Sequence, residues 1–202
     1  MRCLIINCTL KPSPDASNTG ALAQVVADEL EKRHGVPVHT VRAVDLDIRP
    51  GVSTDMGEGD DWPRVHRALL DSQILIIASP TWAGRPSSVA QRVIERLDAL
   101  LSETDDEGRP VAYNRVAGVV VTGNEDGAHH VISEINGALA DFGFTIPGQA
   151  WTYWHLGPGP GPDYLDDERG HDWSAKTGRA MASNLAAAAR ALAAHPIPAP
   201  PG

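Results

Sequence analysis

Residues 74–86 read Ile74-Leu75-Ile76-Ile77-Ala78-Ser79-Pro80-Thr81-Trp82-Ala83-Gly84-Arg85-Pro86. The first five are apolar with no polar alternation, the composition of a strand covered on both faces, as in the interior of a parallel sheet. Two prolines, a glycine and a tryptophan follow at once, which ends the run and turns the chain. Three other runs are of the same kind: Cys3 to Cys8, Val36 to Val41 and Val116 to Thr122.

Helical patterns lie between these runs. Asn18 to His34 places Leu22, Val25, Val26 and Leu30 on one face and stops before Gly35, a good helix terminator. Val89 to Leu101 repeats the pattern with Val93, Ile94, Leu97 and Leu100, and Pro63 to Leu70 is a weaker version. Ala128 to Phe142 forms a further helix ending at Gly143, after which Phe144 to Ile146 is expected as the fifth strand. The Ala-rich segment Trp173 to Ala194 is the longest helix. Strands alternating with helices at this spacing give a βαβ series with right-handed crossovers: an α/β, three-layer, doubly wound parallel sheet. Five strands favour the flavodoxin-like order 2-1-3-4-5 over the six-stranded dinucleotide-binding arrangement. Residues 1–195 are expected to form one domain and 196–202 a proline-rich disordered tail.

With 202 residues, 42% apolar and 21% charged, the chain can build one substantial core. A net charge of -9 repels a nucleic-acid backbone or an anionic membrane, so neither is an expected partner. No run approaches the ~20 apolar residues of a membrane span, and the chain begins directly on a strand-like run, which together argue for a cytoplasmic protein. Cys3 and Cys8, in one strand, stand roughly 16 Å apart and face opposite ways. A disulfide between them is excluded on geometry.

In an open sheet of this kind ligands bind beyond the carboxyl ends of the strands, where the strand order reverses. Three loops meet there. The first, Thr9 to Thr19, carries Thr9 and Lys11 and brings Ser17, Asn18 and Thr19 to the start of the first long helix. Free N–H groups and partial positive charge at a helix amino terminus suit a phosphate with few basic residues; the plainer reading is that Ser17 or Asn18 only caps the helix. The second loop, Ser79 to Pro86, offers a rigid turn beside Trp82 that suits a flat, polar-edged heterocycle, unless the tryptophan simply packs under a neighbouring loop. The third, Thr122-Gly123-Asn124-Glu125-Asp126-Gly127-Ala128, has two glycines that permit close backbone approach, or it is an ordinary glycine-rich turn. Neither G-x-G-x-x-G after the first strand nor G-x-x-x-x-G-K-[ST] anywhere is present, and Asn7-Cys8-Thr9 replaces the acidic pair of a phospho-accepting receiver domain.

Ser79-Pro80-Thr81-Trp82-Ala83-Gly84 closely resembles the S-P-x-Y-x-G signature of the NAD(P)H-dependent FMN reductase group of the flavodoxin-like superfamily. The Ser17-Asn18-Thr19 helix start resembles that group's phosphate loop, and Thr122-Gly123 through Gly127-Ala128 its third flavin-contacting loop. The resemblance covers roughly residues 1–150. It implies that Thr9, Lys11, Ser17, Asn18 and Thr19 hold the FMN phosphate. Pro80, Thr81, Trp82, Ala83 and Gly84 would line the isoalloxazine edge, and Thr122, Gly123, Asn124, Gly127 and Ala128 its pyrimidine side. Trp82 stands where the group more often has tyrosine, which keeps stacking and removes a phenolic hydrogen bond.

On this resemblance the chain passes electrons from NADPH or NADH through FMN to a small acceptor such as a quinone or free flavin, with a homodimer expected. The alternatives are a flavodoxin-type electron carrier without its own substrate, or a scaffold that has lost its cofactor. No side chain is assigned a catalytic or metal-binding role, because the flavin carries the chemistry. Arg85 is a candidate for the nicotinamide phosphates. Adjacent His129 and His130 point in different directions, and the aromatic stretch Trp151 to His155 with the Gly/Pro run 157–162 reads either as a flavin cap or subunit contact, or as a fifth strand and a surface loop.

Overall fold

A computed structural model describes residues 1–200. Its elements are β1 (Cys3–Asn7), α1 (Asn18–His34), β2 (Val38–Arg42), α2 (Trp62–Leu70), β3 (Ile74–Trp82), β4 (Arg85–Pro86), α3 (Ser88–Leu97), β5 (Val116–Thr122), α4 (Ala128–Asp141), β6 (Trp151–Trp154) and α5 (His171–Ala194). The sheet runs β2-β1-β3-β5-β6, parallel throughout, and β4 folds back antiparallel on the end of β3. Leaving out that short strand, this is the flavodoxin-like order 2-1-3-4-5.

Alternation along β1 divides the core. Leu4, Ile6 and Cys8 pack with residues of α2, α3 and α4 on one side, and Cys3 and Ile5 pack with α1 and α5 on the other. The two cysteines are therefore buried on opposite faces as free thiols, and burial pushes both above the ordinary thiol range. Gly118 of β5 lets α5 and the chain before β6 pack closely on the sheet: a Cβ there would lie 2.5 Å from the Ala150 carbonyl and 2.7 Å from Met181 of α5.

β1 ends one residue short of the expected Cys8 and β2 is Val38–Arg42 rather than Val36 to Val41, and two differences are larger. The fifth strand is Trp151–Trp154, not Phe144–Ile146: Thr145 makes a single bridge to Val116, and the chain bulges out through Pro147 and through Gln149 at φ 52° before rejoining β5. Proline cannot donate to a ladder, so pairing could not continue through 147. β3 does not stop at Ala78 but runs on to Trp82, since β5 continues beside it as far as the Pro80–Thr122 pair. The segment read as a rigid loop is thus a β-hairpin, β3–β4, with a two-residue turn at Ala83-Gly84. Both turn residues have positive φ, 50° and 71°, as a type I′ turn requires.

The long connection between β2 and α2 is clamped by Arg96 of α3. Its guanidinium, fully buried, binds both Asp60 carboxylate oxygens at 3.0 and 2.7 Å and the carbonyls of Arg49 and Ser53. Burial alone would raise the Asp60 carboxyl, but Arg96 and the N–H groups of Met56, Trp62 and Arg49 hold it far below the ordinary range. At the far end of the chain Asn114 forms two hydrogen bonds with the Ile197 backbone, at 2.7 and 3.2 Å. Pro201 and Gly202, the last of the proline-rich tail, lie outside the described residues. Among the described residues no helix is long and apolar enough to cross a membrane.

Candidate functional site

β1 and β3 are neighbours whose following helices, α1 and α3, lie on opposite faces of the sheet, so the chain parts between them and leaves a crevice at their carboxyl ends. Leaving β1, Asn7 organises the first loop: its Oδ1 accepts from Thr9 N–H at 3.1 Å and its Nδ2 donates to Ser17 Oγ at 3.2 Å. Ser17 Oγ in turn accepts from Gly20 N–H at 2.9 Å and caps α1. A Cβ at Gly20 would stand 2.8 Å from Asn7 Nδ2, so glycine lets the cap form. Outside, Arg42 donates to the carbonyls of Lys11 and Asp15. The Ser13 hydroxyl and N–H bind the Asp45 carboxylate and hold it below its ordinary range. The loop is therefore braced by the protein's own contacts.

The crevice, about 170 Å³, is lined from the first loop by Thr9, Leu10 and Lys11 and from α1 by Asn18 and Thr19. From β3 come Pro80, Thr81 and Trp82, and from the end of β5 come Thr122, Gly123 and Asn124. Asp163 and Tyr164 close the remaining wall. The hydroxyls of Thr19 and Thr122, both in the lining, meet at 2.7 Å and tie α1 to β5. Thr81 Oγ1 is buried and has no hydrogen-bond partner. Gly123 is what lets the third loop approach it, since a Cβ there would lie 3.0 Å from Thr81 Cβ. Trp82 is 55% exposed at the crevice mouth, so it does not pack under a neighbouring loop.

Five of the expected residues lie beside the crevice rather than in its lining. Ser17 is the helix cap, Ala83 and Gly84 form the hairpin turn, and Ala128 is buried at the start of α4. Gly127 packs on that turn, where a Cβ would lie 2.8 Å from Gly84 Cα, and Glu125 Oε1 accepts from Gly84 N–H at 3.2 Å. The second and third loops are thus one joined unit.

Asp163 and Tyr164 carried no signal in the sequence. They reach the crevice because the Gly/Pro run leans on the third loop, with Gly161 N–H donating to the Asn124 carbonyl at 2.6 Å. The Tyr164 ring stacks on His171 at 3.9 Å and stands edge-on to Trp154 at 5.4 Å, and burial raises its phenol. Trp151 to Trp154 is a strand with Trp154 buried and Trp151 and Tyr153 half-buried, and Trp151, Tyr153 and His155 form a stacked row along it. His129 meets Trp151 and Tyr153 edge-on, His130 lies 3.3 Å from Glu134, and neither lines the crevice. Arg85 is paired with Glu134 at 2.8 Å.

Residues 1–157 match the family described as NADPH-dependent FMN reductase. The chain is 42% identical over 201 residues to a Mycobacterium bovis protein named divalent metal cation transporter MntH, covering 96% of this chain but only 29% of that protein's length. It is 33% identical over 207 residues to 8-demethyl-8-aminoriboflavin-5'-phosphate synthase of Streptomyces davaonensis, covering 97% of this chain and 80% of that protein. Among solved structures, RosB with its bound intermediate 8-demethyl-8-formylriboflavin-5'-phosphate superposes with a TM-score of 0.89 at 31% identity, over 98% of this chain and 82% of that one. A flavodoxin from the domain Archaea shares the fold alone, with a TM-score of 0.59 at 10% identity over 94% of this chain and 99% of that one. With a crevice at the switch point of a flavodoxin-like sheet and a match running from the first strand past the last, the chain belongs to the NADPH-dependent FMN reductase family of flavin oxidoreductases.

Proposed function

We propose that the chain binds FMN in this crevice and passes electrons from NADPH or NADH through it to a small acceptor such as a quinone or free flavin. The observation that carries the reading is the pairing, in one crevice, of an anion-ready helix start with a buried hydroxyl lacking a partner, Thr81 Oγ1. The first-turn N–H groups at Asn18 and Thr19 have no intrahelical carbonyl to reach and suit a phosphate, with Lys11 beside them. Thr81 supplies a hydrogen bond to a heterocycle edge, and Trp82 presents its face for stacking. The crevice is smaller than the roughly 300–1,000 Å³ of a typical ligand pocket. One end of FMN would be gripped and the ring left accessible at the surface.

When bound, FMN supplies hydride and single-electron chemistry; the protein supplies binding, orientation and an open face. Ser17 and Asn7 hold the phosphate end in shape, and Gly123 and Gly127 bring the third loop against the hairpin that carries Trp82. The test is the visible spectrum of protein reconstituted with FMN, taken anaerobically before and after NADPH and then NADH. Bleaching within seconds supports the reductase and names its donor. Bound flavin that stays oxidised supports the electron carrier, and no bound flavin overturns the site.

A second reading comes from the Streptomyces relative, whose name describes a modified riboflavin phosphate as product. Here the flavin phosphate is the molecule worked on rather than a resident cofactor. Mass analysis of the flavin after incubation and reoxidation in air separates the two, since a reductase then returns FMN unchanged in mass. The working unit we propose is a homodimer, and a monomeric mass by light scattering at micromolar concentration would rule it out.

A further inference from the structure

Asp163 places a carboxylate at the end of the crevice where the reading above puts a phosphate. Its Oδ2 lies 3.8 Å from Lys11 Nζ, so the crevice's own lysine is engaged across the mouth by the opposite wall. Both side chains are solvent-reachable, 38% and 52% exposed for Asp163 and Lys11. The segment carrying Asp163 cannot retreat freely. Asn18 Oδ1 accepts from Leu165 N–H at 3.1 Å, which pins the next turn to the first residue of α1. Tyr164, between them, is buried and clamped by His171 and Trp154. The segment also lies beyond the residues matched by the family, which end at 157.

We propose that Asp163 is a specificity-determining residue that stands in for the phosphate: it neutralises Lys11 and opposes an incoming phosphomonoester, so that FMN is held exchangeably rather than as a permanent group. The inference rests on FMN binding in this crevice. A phosphate dianion competes with Asp163 for Lys11 and is repelled by a carboxylate that the Asn18 and Tyr164 anchors keep nearby. Riboflavin, which has the same ring and sugar chain without the phosphate, is indifferent to that charge. A unit charge a few ångströms from the dianion in a partly hydrated mouth changes affinity by roughly fivefold to tenfold, and salt screens the effect.

The experiment measures binding of FMN and of riboflavin to the apo-protein by flavin fluorescence quenching, for the wild type, Asp163→Asn and Lys11→Met, at low and high salt. The Asp163 side chain makes no cap hydrogen bond to the turn it opens, so the isosteric asparagine variant is expected to fold, and an unchanged melting temperature verifies this. Asp163→Asn is expected to tighten FMN roughly fivefold, to leave riboflavin unchanged, and to lose most of the gain at high salt. Lys11→Met is expected to weaken FMN alone. Equal weakening of both flavins by Asp163→Asn would overturn the proposal and assign the carboxylate to the hydroxyls of the sugar chain. No change for either flavin would also overturn it. A wild type that binds neither flavin would defeat the FMN site itself and this role with it, an outcome distinct from the other two.

Discussion

Thr81 is the residue on which the ligand reading turns. A hydroxyl buried without a partner is a standing cost in an empty protein and a ready bond in a filled one. Thr81→Val removes the hydroxyl at nearly constant shape. The apo-protein is expected to be as stable as the wild type or up to about 1 kcal/mol more stable by urea unfolding, while FMN affinity falls roughly tenfold, the loss of one good hydrogen bond. Two positions away, Ala83 holds φ at 50°, a region where a non-glycine residue other than asparagine or aspartate is strained by about 1–2 kcal/mol. Asn-Gly is the favoured pair for a type I′ turn. Ala83→Asn is therefore expected to raise stability by about 0.5–1 kcal/mol, read as an upward shift in the thermal midpoint. Thr81 and Ala83 were both visible in the sequence as members of one motif, but their opposite situations were not: orphaned burial and backbone strain are properties of surroundings.

The hairpin β3–β4 and the loop after β5 act as one element. Glu125 holds Gly84 from the side chain, and Gly127 meets Gly84 backbone to backbone. Gly127 also sits at φ 105°, a conformation that side chains rarely adopt. Gly127→Ala is thus opposed twice, by its own backbone and by the 2.8 Å contact with Gly84 Cα. We expect a loss of about 2–3 kcal/mol in urea melts. Weakened flavin binding should accompany it, because Trp82 rides on the displaced hairpin. The sequence marks both glycines as loop residues; that they touch each other depends on β3 and β5 being neighbours.

At the scale of the whole molecule, the Asp60–Arg96 pair joins the long β2–α2 connection to α3 inside the core, with neither side chain exposed. Removing one partner leaves the other buried and unpaired, and such losses run to about 3–5 kcal/mol. Asp60→Asn is expected to fall in that range by chemical denaturation. The folded protein keeps Asp60 ionised well below its ordinary range, so as pH falls the unfolded chain takes up the proton first. The stability from this group is therefore fully present above about pH 4 and declines as pH drops toward the depressed folded value. Asp60→Asn should flatten that part of the acid-unfolding profile, and an unaltered slope would show that other carboxylates dominate it.

Apolar runs such as Ile74 to Ala78, alternating with helical periodicity, determined the class of fold, because burial on both faces leaves a composition that reads locally; the order of the sheet followed only from the number of strands that class contains. The helix Asn18–His34 was legible to the residue, since its cap and its stop are local chemistry. The three loops expected to converge do line one crevice, because strand ends at a switch point are brought together by topology. Tertiary structure alone decided that Ser79 to Pro86 is a hairpin, that the last strand begins at Trp151, and that Asp163 and Tyr164 face Lys11 across the crevice. Each of those depends on a neighbour far away in the chain, and long-range pairing leaves no periodic mark in the residues that make it.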